Sequence, residues 1–152
     1  MNFKKHLFLF AGILSCSFIM AQQPSDILSV SASTKLEKAS LAFDKDPKTM
    51  WEVNGQDLKA DQWLMFTIQT PGDVCELNLQ MQGVSKEELK QLMSVFVTYD
   101  PMNQGVPVDY QVKGSAKEMQ VTFSPKYGAH VRLAFKGDSR VKPFSVKEVA
   151  VL

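Results

Sequence analysis

Apolar and polar residues alternate with a period of two along much of this chain, the mark of strands with one face buried and the other in water. In "WLMFTIQ", Leu64, Phe66 and Ile68 share a face, and in "CELNLQM" Cys75, Leu77, Leu79 and Met81 do the same. "MQVTF" aligns Met119, Val121 and Phe123, while "HVRLAFK" aligns Val131, Leu133 and Phe135 and leaves His130 and Arg132 opposite. "VDYQV" and "SVFVTY" follow the same rule. Between these runs lie "TPGD", "DPMNQG", "SPKYG" and "KGDSR", whose proline, glycine and aspartate content predicts turns between antiparallel strands. One helical signal interrupts them. Ser85 followed by Glu88 forms a capping box, and "EELKQLM" predicts a short helix with Leu89 and Leu92 inward and its charged residues solvated. The pattern is that of an all-β sandwich with one short helix.

The chain has 152 residues, enough for one domain. Its first 21 residues read as a secretory leader: Lys4 and Lys5, an apolar run from Leu7 to about Ile13, then small residues. This stretch is too short to span a bilayer comfortably, and no other transmembrane segment is expected. Two processing sites compete. Cleavage after Ala21 leaves a domain of residues 22–152, secreted or periplasmic; alternatively "ILSC" is a lipobox and Cys16 anchors an outer-membrane lipoprotein. Losing Lys4 and Lys5 takes the basic count from 17 to 15 against 16 acidic residues, a net charge of −1. That balance excludes an electrostatic case for nucleic acid or an anionic membrane. With Cys16 removed or lipidated, Cys75 stands alone, no disulfide is expected within the mature chain, and a packed core must supply the stability.

The stretch "LAFDKDPKTMWE", residues 41–52, is too polar for a strand and too broken by proline for a helix. Asp44, Asp46 and Thr49 place hard oxygen donors at irregular spacing, which suits calcium better than zinc. The same residues also suit simple Asx-turns. No catalytic constellation accompanies them: there is no Gly-x-Ser-x-Gly elbow, no HExxH and no phosphate-cradling glycine loop, and Cys75 sits on the apolar face of its strand. A non-catalytic protein is expected.

"KASLAFDKDPKTMWE", then "QWLMFTIQ", "HVRLAF" and the closing "FSVKEVAVL" resemble the discoidin or F5/8 type C family, which includes many carbohydrate-binding modules of the galactose-binding-like fold. Ala42, Asp44, Asp46, Thr49 and Trp51 fall on the family's loop motif, and Trp63, Leu64, Phe66 and Ile68 on the strand that follows it. The resemblance implies an eight-stranded antiparallel jelly-roll β-sandwich. It also implies a structural calcium held by the Leu41 carbonyl, Asp44, Asp46, Thr49 and Glu148. The residues agree at one point, since Glu148 breaks the apolar rhythm of "VKEVAV" and a carboxylate there is costly unless paired. Lys45 occupies the family's usual glycine, so a positive φ there would be strained. Trp51 and Trp63 read as core packing.

Sugar recognition needs an aromatic ring to stack on a pyranose and polar groups to fix its hydroxyls. The loops at one end of the sandwich would supply them: by resemblance Phe144 just before the last strand, and as further candidates Asn54 and Gln56 after the motif tryptophan and Arg140 from "KGDSR". Phe144 also fits as a core plug. The family's loop histidine and arginine are missing, which keeps two partners open: a glycan, or a surface protein met by an adhesion module whose sugar groove is lost.

Overall fold

The computed structural model describes residues 25–115, 117–138 and 142–152. The leader with both processing sites, Cys16 included, lies outside them, as does Arg140. In chain order the elements are β1 (Ile27–Ala32), a 3-10 helix (Leu36–Phe43), β2 (Trp51–Val53), a second 3-10 helix (Asp57–Lys59), β3 (Gln62–Gln82), α1 (Lys86–Leu92), β4 (Met93–Thr98), β5 (Tyr110–Ser115), β6 (Glu118–Phe135) and β7 (Phe144–Val151).

Pairing is antiparallel throughout, and it divides into two layers because β3 and β6 change partners midway. The first half of β3 lies between β1 and the second half of β6, with Phe66 opposite both Val30 and Val131, and β4 pairs on β6 from there. The second half of β3 lies between β7 and the first half of β6, with Leu77 opposite both Val151 and Val121. β2 completes that layer beside β7 and β5 beside β6. The inward faces are the ones the alternation marks: Leu64, Phe66, Leu77, Leu79, Met119, Val121, Val131, Leu133 and Phe135 are all buried between the layers.

Two predicted turns are absent. "TPGD" and "SPKYG" stay extended within β3 and β6 and cross from one layer to the other together, with Gly72 opposite Gly128 and Asp73 opposite Tyr127. Register shifts between Thr67 and Gly72, and between Val74 and Glu76, absorb extra residues as bulges. Bulges bend and twist a strand without ending it, and they tolerate Pro71, which has no N–H for the ladder. The described residues therefore form seven strands, two of them shared by both layers, where the resemblance implies eight.

The predicted helix is present, with the complete capping box between Ser85 and Glu88 and with Leu89 and Leu92 buried. Trp51 is wholly buried, and its indole N–H donates to the Thr34 carbonyl at 2.9 Å. Trp63 departs from expectation. It lies on the outer face of its layer, half-buried, with the Arg132 guanidinium 4.9 Å from its ring centre. Cys75 is buried on the apolar face, as expected.

Candidate functional site

The acidic loop follows from the end of the first 3-10 helix. Asp44 sits at its C-cap; one carboxylate oxygen accepts the Asp46 N–H at 2.9 Å, and the other accepts the Thr49 hydroxyl at 2.6 Å. That hydroxyl also lies 3.0 Å from the Asp46 carbonyl and 3.5 Å from the Leu41 carbonyl. Lys45 adopts φ +62°, so the turn normally served by glycine is kept with a lysine in the left-handed region. The Asp46 side chain is used differently from what the motif implies: its carboxylate accepts the Lys48 N–H at 2.9 Å, leaving the backbone carbonyl as its contribution to the cluster.

Glu148 arrives from β7 by a bulge. Val146 pairs with Met81 and Glu148 with Gln80, so one residue, Lys147, is extra in the ladder. The bulge switches the buried set from Phe144 and Val146 to Val149 and Val151. This is the physical reason for the broken rhythm read in the sequence, and it turns the Glu148 carboxylate toward Asp44 and the backbone N–H groups of Lys45 and Asp46.

Burial, and the Asp44 carboxylate beside it, push Glu148 up to about 7. Asp44 is held below its ordinary value, chiefly by the Thr49 hydroxyl and then by the Asp46 N–H. One carboxylate oxygen of Glu148, Oε1, is buried with no hydrogen-bond partner. Two acids side by side, one with an orphaned oxygen, are the local chemistry that an oxygen-seeking cation relieves. Among the described residues no three His, Cys, Asp or Glu side chains gather at one point. A cation here would therefore take carbonyls and a hydroxyl as well as the two carboxylates, a donor set that suits calcium.

At one end of the sandwich lies a cavity of about 350 Å³. Gly83 and Val84 after β3, Glu88, Gln91 and Leu92 of α1, Lys136 and Asp138 after β6, and Lys142 and Phe144 at the start of β7 line it. Gly83 has φ +87°, and a Cβ there would lie 2.7 Å from the Pro143 carbonyl oxygen, so this glycine lets β3 leave the sheet tight against the start of β7. The floor is apolar, and the rim carries both signs of charge. Helix α1 thus presents Glu88 and Gln91 to the cavity, although its polar residues read from sequence as a plain solvated face.

Of the predicted ligand residues, Phe144 is at this cavity, but its ring is 2% exposed and packs 4.9 Å from that of Phe135, so it is a core plug and not a platform. Asn54 lies on the neighbouring loop, since Val53 pairs with Phe144. Its side-chain oxygen accepts the Gln56 and Asp57 N–H groups, both at 3.0 Å, and so is committed to holding its own turn. Gln56 is exposed beside it. Lys136, Asp138, Lys142 and Gln91 were not singled out from sequence. Their nearest signal was the loop "KGDSR", whose meaning depends on α1 packing opposite it.

No protein-family model and no curated protein sequence matches the chain. Solved structures do. A CBM32 module of AlyQ in complex with 4,5-unsaturated mannuronic acid superposes with a TM-score of 0.65 at 19% identity, covering 86% of this chain and 98% of that one. The chain has the fold of that module, an antiparallel β-sandwich. A pectin-binding carbohydrate-binding module gives a TM-score of 0.63 at 19% identity over 84% of this chain and 91% of its own. Chitosan-binding module 1 of the chitosanase/glucanase from Paenibacillus sp. IK-5 gives 0.62 at 19% identity over 82% and 93%. The match spans nearly the whole of each module, so the sandwich is shared as a unit.

Proposed function

We propose that this protein is an exported, non-catalytic carbohydrate-binding module that holds a glycan in the cavity between α1 and the start of β7. The observation that carries this reading is the cavity itself, which opens at one end of a sandwich whose backbone follows modules solved with sugars or described as binding polysaccharides. Its volume suits one or two sugar rings. Lys136, Lys142, Glu88, Asp138 and Gln91 supply donors and acceptors for hydroxyl groups above an apolar floor. A glycan array probed with the mature protein tests it: binding to at least one glycan, weakened when Lys136 and Lys142 become alanine, is the expected result. Uniform background across neutral and acidic glycans refutes it.

In this reading calcium occupies the acidic loop, held by the Leu41 and Asp46 carbonyls, Asp44, Thr49 and Glu148. Its role is to neutralise the paired carboxylates and to tie the loop before β2 to the last strand. The reading also includes export, as a secreted or periplasmic protein or as a lipoprotein through Cys16.

One observation favours a second reading. Phe144 is sealed in the core, so the cavity lacks an exposed aromatic platform, as a module that binds a surface protein could. A stoichiometric protein captured from envelope extract, with binding unaffected by free sugar, would support that alternative.

A further inference from the structure

We propose that Tyr99 and Tyr127 form a second carbohydrate contact, an aromatic platform at the end of the sandwich opposite the cavity; the proposal rests on the reading of this protein as a glycan-binding module. The two rings stand 5.9 Å apart, inclined by 31°, and the residues are 64% and 58% exposed. Side chains of this size normally bury most of their surface, and nothing among the described residues covers these.

Their geometry is built in. Tyr99 follows directly on β4, and Tyr127 lies where β6 crosses between layers. Gly128 is buried against β4, where a Cβ would come within 2.7 Å of the Thr98 carbonyl oxygen. Only a glycine lets the two strands approach this closely, and the approach sets one ring beside the other. Tyr127 therefore projects from a strand and Tyr99 from the residue directly after one, which lowers the ordering cost of binding.

The occupant follows from size and surroundings. Two ring faces cover far less than the roughly 1,000 Å² of a stable protein interface, but they match the apolar face of one or two pyranose rings. Exposed polar groups stand beside them, Asp73 opposite Tyr127 in the ladder, Lys126 before it and Asp100 after Tyr99, and the loop that follows also exposes Met102 and Val106. The carboxylates and the lysine offer hydrogen-bond partners to hydroxyl groups at the edge of the rings. Tyr127 and Lys136 are nine residues apart along β6, about 25–30 Å at the strand rise. A single sugar unit cannot reach both places. A long polysaccharide, or two neighbouring chains, could.

Native affinity electrophoresis in gels containing alginate, pectin or a neutral β-glucan tests the proposal. The wild-type protein is expected to be retarded by at least one of them. Tyr99→Ala/Tyr127→Ala is expected to weaken retardation roughly fivefold or more, while Tyr99→Phe/Tyr127→Phe, which keeps both rings, stays near wild type. Because the rings are exposed, the melting temperature of the alanine variant should stay close to that of wild type. If the alanine variant is retarded like wild type while Lys136→Ala/Lys142→Ala is not, the platform is refuted and the cavity reading stands. If none of the three polysaccharides retards the wild-type protein, both fall. Loss of binding to phosphatidylcholine vesicles in the alanine variant, with retardation unchanged, would make the pair a lipid contact and also overturn the proposal.

Discussion

Lys45 holds a backbone conformation that L-residues with a Cβ avoid, at φ +62°. A left-handed residue costs about 1–2 kcal/mol against the right-handed alternative, and glycine escapes most of that. Lys45→Gly is therefore expected to stabilise the protein by about 1 kcal/mol, and Lys45→Val to destabilise it, as read by chemical denaturation. Glu148 makes a different prediction. In the unfolded chain it releases its proton near the ordinary 4.5, whereas in the folded chain it holds it to about 7. Within that window folding takes up a proton, so stability falls as pH rises through it and levels off above. Asp44, held below its ordinary value, acts only at more acidic pH. Melting temperatures of chelator-treated protein should thus decline from pH 5 to pH 7.5. Calcium should raise them most at the upper end of that range, and Glu148→Gln should abolish both the decline and most of the calcium response.

The bulge in β7 and the capping box of α1 are the elements on which the acidic loop and the cavity depend. Deleting Lys147 would remove the extra residue and send Val149 and Val151 to the outer face, so loss of soluble folded protein is expected, while Lys147→Ala should fold normally. Circular dichroism distinguishes the two. Ser85→Ala removes the hydroxyl that accepts the Glu88 N–H and should cost about 1 kcal/mol. Both features were visible in the sequence, as the broken rhythm at Glu148 and the Ser85–Glu88 spacing, because each is written within a few neighbouring residues. Other features were not legible for the same reason. "TPGD" and "SPKYG" carry ordinary turn chemistry, and only their mutual pairing keeps both extended. Trp63 fits a core pattern, yet its side of the strand is fixed by Leu64 and Phe66, which take the inside. The cavity rim joins α1 to two loops distant in sequence, so no local pattern could announce it.

At the scale of the molecule, the long paired strands β3 and β6 fold over once, and the two ends of the sandwich become unlike. β7 begins at the cavity with Phe144 and ends at Val151, whose carbonyl accepts the Ser25 N–H at 2.8 Å. The first described residue and the last strand's end therefore lie together, away from the cavity. Among the described residues no helix is long and apolar enough to cross a membrane. The most direct test is amide chemical-shift mapping during titration with whichever glycan binds best on the array. The largest shifts are expected at residues 83–92, 136–138, 142 and 144. Saturable binding that leaves those amides unmoved would contradict the placement of the glycan in the cavity.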